Sequence, residues 1–97
     1  MTAPPPARLV ADIRAGDGLL PGAVEARFDG DQLQGLAFRC PCGCGSEGWL
    51  NTVPVGPDSG WKFTGTVDAP TLHPSVFNTG MPCRWHGWLR NGEWVSC

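Results

Sequence analysis

The chain has 97 residues and a formal net charge of −2, so it is long enough for one domain with a small core. Its seven Lys and Arg residues form no basic run, which argues against binding to the phosphate backbone of nucleic acids. No apolar run approaches the roughly 18 residues of a membrane span, and no signal-peptide pattern is present, so we expect a cytoplasmic protein.

The first segment is predicted to be irregular. Residues 1–8 are rich in proline, which suits neither a helix nor a sheet, so we expect a flexible tail there and a single metal-binding β domain over residues 9–97. The apolar spacing in Leu9–Ala15 is compatible with a short helix that ends at Gly16.

A first hairpin is predicted over Ala23–Arg39. Asp29-Gly30 is a strong two-residue turn signal, and this turn would pair Phe28 with Asp31. The alternation of apolar and polar residues changes phase at Gly35, which indicates a bulge.

Further strands are predicted at Gly48–Val53 and Trp61–Val67. Pro70–Ser75 is predicted to be an ordered loop, because its two prolines cannot donate hydrogen bonds to a sheet. A second hairpin is expected from Trp85 to Cys97, with Asn91-Gly92 as its turn. The fold class is therefore mainly β: a small zinc-stapled antiparallel sheet built from hairpins, with one short N-terminal helix.

The five cysteines indicate a metal site. An odd number fits a closed set of disulfides badly, and without a signal peptide the cysteines should lie in a reducing compartment. Three of them fall within five residues, where Cys40, Cys42 and Cys44 alternate with residues that include Gly43. Glycine lets backbone N–H groups approach the sulfurs, as in a zinc knuckle.

The second hairpin supplies the complementary ligands. The Asn91-Gly92 turn would place His86 directly opposite Cys97, with their Cβ atoms about 4.5–5.5 Å apart. Cys83 lies three residues before His86, which gives a Cys-x-x-His spacing. A structural zinc ion takes four ligands, and we expect two from the first group and two from the second, without deciding which. The six candidates are Cys40, Cys42, Cys44, Cys83, His86 and Cys97. His73, in the predicted loop, is not expected to be a ligand.

The stretch Phe38–Gly45 resembles the Phe-x-Cys-Pro-Cys-Gly-Cys-Gly motif of a family of small uncharacterised bacteriophage and prophage proteins. The resemblance covers Phe38–Cys97 and continues through Pro70–Val76 and Cys83–Gly92. It implies a metal-binding group with no established activity, whose relatives occur near bacterial ubiquitin-like conjugation genes. Some members are called ammonia monooxygenases, a name that nothing in this chain supports.

The preferred function is a non-enzymatic zinc-binding module that binds another protein, because the ligand set is dense and tryptophan is abundant. Neither nucleic acid nor a membrane is an expected partner. One alternative is a redox protein with a [2Fe–2S] cluster held by three cysteines and His86. Another is a zinc hydrolase with an open metal position and Glu47 or Asp68 as base.

Overall fold

The computed structural model of the chain describes residues 6–52, 60–77 and 84–96. Strands dominate these residues, which confirms the mainly β prediction, but they form two antiparallel sheets, with strand orders β1-β2-β3 and β4-β5-β6-β7. The elements are a 3₁₀ helix (Gly16–Leu19), β1 (Val24–Asp29), β2 (Gln32–Arg39), β3 (Glu47–Asn51), β4 (Lys62–Thr66), β5 (Ala69–Phe77), β6 (His86–Arg90) and β7 (Glu93–Ser96). None of the helical structure in the described residues has the length and apolar character needed to cross a bilayer.

The two sheets share one hydrophobic core. Trp94 of the second sheet is 2% exposed, and its ring centroid lies 5.3 Å from that of Phe38 in the first sheet. The Trp94 indole N–H also donates a buried hydrogen bond of 2.9 Å to the carbonyl oxygen of Gly22, just before β1. Burial of large aromatic area and a satisfied indole donor therefore join the sheets. The buried members of this core are Ala7, Val24, Leu36, Phe38, Leu50, Leu72, Val76, Leu89 and Trp94.

The N-terminal segment forms no α-helix, so the helix predicted for Leu9–Ala15 is wrong. The backbone of this segment bonds to the sheets instead: Ala7 N–H donates to the Gly92 carbonyl (2.8 Å), and Val10 N–H donates to the Val24 carbonyl (2.8 Å). Hydrogen bonds to strands replace the local bonds that a helix of one or two turns would need. The domain boundary after residue 8 stays a prediction.

The first hairpin is present, but its turn lies one residue later than predicted. Gly30-Asp31 is the two-residue loop, so Phe28 pairs with Leu33 and not with Asp31. The ladder shifts at Phe28, opposite the stretch that ends at Gly35, and this irregularity matches the predicted bulge. The later turn allows apolar Phe28 and Leu33 to face each other, which favours it over the predicted register.

The predicted loop at Pro70–Ser75 is wrong, because these residues belong to strand β5. Pro70 pairs with Gly65 of β4, while the ladder to β6 shifts between Leu72 and Val76. Pro74 lies in this bulged stretch, which tolerates a residue without an N–H donor, and Pro70 lies one residue after the start of β5, so the prolines do not end the strand.

The other predicted strands are confirmed as β3 and β4, and the second hairpin as β6 and β7. Its register begins with Arg90 opposite Glu93, as predicted from the Asn91-Gly92 turn. Asn91 has φ 49° and Gly92 has φ 75°, as a type I′ turn requires. The predicted pairing of His86 with Cys97 lies outside the described residues.

Candidate functional site

A serine and a histidine meet on the solvent face of the second sheet. Phe77 of β5 pairs with His86 of β6, so Ser75, two residues earlier, shares a face with His86 and lies diagonal to it. The Ser75 Oγ atom is 2.9 Å from the His86 Nε2 atom. This distance is within hydrogen-bond range for a hydroxyl and an imidazole nitrogen.

An irregularity in β5 places Ser75 beside this histidine. Leu72 pairs with Leu89 and Val76 pairs with Gly87, so residues 73–75 face the single residue Trp88 of β6. Such bulges bend a strand and redirect its side chains, and they are common next to active sites. The carbonyl oxygen of Ser75 accepts a hydrogen bond of 3.4 Å from the Trp61 indole N–H.

Close packing fixes the start of β6, where His86 lies. Gly87 is buried, and a Cβ atom at this position would overlap the carbonyl oxygen of Val95 and the indole of Trp85. The Trp85 ring in turn makes an edge contact with Trp94, with centroids 5.6 Å apart. Tight contacts on the core side therefore hold the backbone that carries His86.

The pair is open to solvent. Ser75 is half-buried and His86 is exposed, while Gly87 and Leu89 point to the buried side of β6. In the tautomer with its proton on Nδ1, the imidazole Nε2 accepts the hydrogen bond from the Ser75 hydroxyl. In that geometry an imidazole removes the hydroxyl proton as the oxygen attacks an electrophile. The arrangement is therefore chemically suited to nucleophilic catalysis.

The second notable group is the cysteine cluster, defined here as Cys40, Cys42 and Cys44. The three sulfur atoms lie within 4.8 Å of one another. The sulfurs of Cys40 and Cys42 are 3.3 Å apart, too far for a disulfide bond of about 2.05 Å. Two thiolates on one tetrahedral zinc ion are about 3.8 Å apart, given Zn–S bonds of about 2.3 Å. The described cluster therefore fits part of the coordination shell of a soft metal ion.

The loop that carries the cluster is held by backbone hydrogen bonds. Cys40 lies buried after the end of β2, and its N–H donates to the Ser46 carbonyl at 2.8 Å. The N–H of Cys44 points at the sulfur of Cys42, at 3.3 Å. Gly43 has φ 94°, in the left-handed region that glycine adopts without strain. An N–H directed at a sulfur favours the thiolate form that binds metal.

Two arginines connect the cysteine loop to the N-terminal segment. The Arg39 guanidinium donates to the carbonyl oxygens of Gly45 (2.9 Å) and Ile13 (2.6 Å). The Arg14 guanidinium forms two hydrogen bonds with the Glu47 carboxylate, of 2.9 and 3.0 Å. The Arg14 hydrogen bonds lower the pKa of Glu47, so this carboxylate stays ionised and paired beside the loop.

The structure brings three of the six predicted metal ligands together, namely the cysteine cluster. Cys83 and Cys97 lie outside the described residues. The Nε2 atom of His86 lies 2.9 Å from Ser75 Oγ on the second sheet. In the part of the chain that the structure describes, His86 is not a member of the group of three cysteines. The complete ligand set, the metal and its replacement by an iron–sulfur cluster stay predictions.

Ser75 is the functional candidate that the sequence analysis missed. The prolines of its segment predict a loop, and no short nucleophile motif surrounds it. The proximity of Ser75 and His86 follows from the register of β5 against β6, and that register depends on the bulge between Leu72 and Val76. His86 was identified as functional, but as a metal ligand.

Comparison with known proteins identifies one family. A family model described as "Bacterial ubiquitination-like system serine protease (BubE)" matches residues 11–97. No curated protein and no solved structure matches the chain. The match agrees with the expected association with bacterial ubiquitin-like conjugation, while the association with bacteriophages stays a prediction.

Proposed function

The chain belongs to the BubE family of bacterial ubiquitination-like systems, and on this basis we propose that it is a serine protease that uses Ser75 and His86. The observation that carries the proposal is the 2.9 Å contact between Ser75 Oγ and His86 Nε2. A hydroxyl bonded to an imidazole is the nucleophile and base pair that peptide hydrolysis by a serine enzyme requires.

The proposed reaction has two halves. In the first, Ser75 Oγ attacks the peptide carbonyl carbon while His86 Nε2 takes the hydroxyl proton. The tetrahedral intermediate then expels the amine, which receives that proton from His86, and an ester to Ser75 remains. In the second half, water attacks the ester with His86 again as base, and the carboxylic acid product leaves as the Ser75 hydroxyl is restored.

The fold supports access by a peptide chain. Because Ser75 and His86 lie on the solvent face of the sheet, an extended substrate can approach without displacing the core. Because β5 and β6 each pair with a strand on both sides, such a peptide would lie across the open face of the sheet, where its side chains would contact those of neighbouring residues. The substrate is then a protein or peptide of the ubiquitination-like system to which the family belongs.

The direct test is cleavage of a diverse synthetic peptide library, followed by mass spectrometry. The wild-type protein is expected to cleave a defined subset, and Ser75→Ala and His86→Ala are each expected to reduce the rate by about 10³-fold or more. Ser96→Ala removes another serine hydroxyl of the same sheet and should leave the rate unchanged. An intact library, or equal rates for wild type and Ser75→Ala, would refute the protease.

We further propose a structural zinc ion at the cysteine cluster. Three sulfurs within 4.8 Å of one another support it, and soft thiolates prefer zinc among common cellular ions. The fourth ligand would come from Cys83 or Cys97. The ion would stabilise the loop after β2, because zinc binding in small domains contributes directly to folding. Elemental analysis should give one zinc per chain, and Cys42→Ser should lower both the zinc content and the melting temperature.

A non-enzymatic interaction module is the second candidate function, favoured by the cysteine cluster as a structural staple. Membership in a ubiquitination-like system fits such a module as well. The two candidates differ in the library experiment, since a pure binding module would retain bound partners but leave every peptide intact. In that case a pull-down with the purified protein would be as effective with Ser75→Ala as with wild type.

A further inference from the structure

The solvent face of β6 continues past the serine–histidine pair. His86, Trp88 and Arg90 alternate with buried Gly87 and Leu89, so the first three share the open face. The central carbon of the Arg90 guanidinium lies 4.4 Å from the centroid of the Trp88 ring, and Trp88 lies between His86 and Arg90 along the strand.

The Arg90 guanidinium has no carboxylate partner in the part of the chain that the structure describes. Glu93 faces it in the strand register, yet the ion pairs of the described residues are Arg14 with Glu47 and Arg27 with Glu25. The guanidinium stacks on the indole instead, in a cation–π contact. A stacked guanidinium is held in position while its N–H groups remain able to bind a carboxylate in a bidentate manner.

The position of this charge matches the spacing of an extended substrate. Residues two apart on a strand are about 6.6–6.8 Å apart, and the guanidinium lies over Trp88, two residues from His86. Trp88 also faces the bulge that carries Ser75. For a peptide that runs along β6, a carboxylate bound by Arg90 would therefore lie about two residues from the carbonyl attacked by Ser75.

We propose that Arg90, stacked on Trp88, is a specificity-determining residue that binds a substrate carboxylate about two residues from the cleaved bond. This inference rests on the proposed protease function of the same site. The carboxylate belongs either to an aspartate or glutamate side chain or to the C-terminus of the substrate. Both present the same planar group to the guanidinium.

The test compares matched peptides built from a sequence that the wild-type protein cleaves. In one series, glutamate or glutamine stands two residues from the cleaved bond, on its N-terminal or its C-terminal side. In the other series, the peptide ends two residues after the cleaved bond, as a free acid or as an amide. Wild type is expected to prefer a carboxylate in one series by about tenfold or more in kcat/KM. That series identifies whether the carboxylate is a side chain or a chain end.

Substitution of Arg90 then assigns the preference. Arg90→Gln should abolish the preference while retaining most cleavage of the neutral peptide, and Arg90→Lys should restore only part of it, because an ammonium group cannot form the bidentate contact. Trp88→Leu, which removes the stacking surface, should weaken the preference as well. Equal kcat/KM for charged and neutral peptides in wild type, or a preference unchanged in Arg90→Gln, would overturn the inference.

A binding measurement separates this inference from the protease proposal. The Ser75→Ala protein is titrated with the glutamate and glutamine peptides, and with the free-acid and amide peptides, while tryptophan fluorescence is recorded. Tighter binding of a carboxylate peptide that disappears in the Ser75→Ala/Arg90→Gln double variant supports the site, whatever the rate at which wild type cleaves that peptide. Equal binding of all four peptides contradicts the carboxylate site without affecting the cleavage result.

Discussion

Replacement of Trp94 by phenylalanine should weaken the junction between the two sheets. The Trp94 indole donates to the buried carbonyl oxygen of Gly22 at 2.9 Å, and its ring contacts Phe38 and Trp85. A buried carbonyl left without its donor costs about 1–3 kcal/mol, and the smaller ring loses about 1–2 kcal/mol of apolar burial. The expected loss is about 2–5 kcal/mol, a large share of the stability of a small domain.

The measurement is urea unfolding followed by circular dichroism. With a slope of about 1–2 kcal/mol per molar urea, the midpoint of Trp94→Phe should fall by at least about 1 M. Trp49→Phe is the matched control, because Trp49 is 44% exposed and should shift the midpoint by less than half as much. Equal shifts for the two variants would refute the assignment of Trp94 as the link between the sheets.

Two further predictions concern the N-terminal segment and strand β6. The hydrogen bond from the Ile13 N–H lowers the pKa of Glu25 below its ordinary value of 4.5. The Glu25 carboxylate therefore stabilises the fold above pH 4.5, and this contribution is lost as the pH falls through the lower pKa of the folded state. Glu25→Gln should therefore flatten the fall in urea midpoint as the pH is lowered below 4.5, and an unchanged pH profile would contradict this origin. Gly87→Ala introduces a Cβ atom against the Trp85 ring, so it should destabilise the protein by about 1–3 kcal/mol and reduce peptide cleavage. A variant as stable and as active as wild type would contradict the conclusion that packing around Gly87 holds His86 in place.

Local sequence signals were sufficient for most strands. The Asn91-Gly92 turn gave the second hairpin with its register, because both residues adopt the positive φ angles that a type I′ turn needs. The first hairpin was one residue out of register, since Asp29-Gly30 and Gly30-Asp31 are both acceptable turns and the pairing of Phe28 with Leu33 decided between them. Turn chemistry alone cannot distinguish such neighbours.

Long-range pairing explains what the sequence did not reveal. Prolines disfavour sheets and so predict a loop at Pro70–Ser75, whereas these residues are part of strand β5, which contains a bulge between Leu72 and Val76. Without β5 there was no means of placing Ser75 next to His86. The cysteine cluster, in contrast, was predictable, because its three members are so close in sequence that any turn brings their sulfurs together.

Reaction with a fluorophosphonate tests most directly whether Ser75 is an activated nucleophile. The Ser75 oxygen would displace fluoride from phosphorus, and His86 would accept the hydroxyl proton. Tryptic mass spectrometry is expected to find one adduct per chain, on the peptide that contains Ser75. The adduct should be absent in Ser75→Ala, strongly slowed in His86→Ala and retained in Ser96→Ala. No adduct in the folded wild-type protein, or labelling of Ser75 that does not depend on His86, would contradict the serine–histidine mechanism.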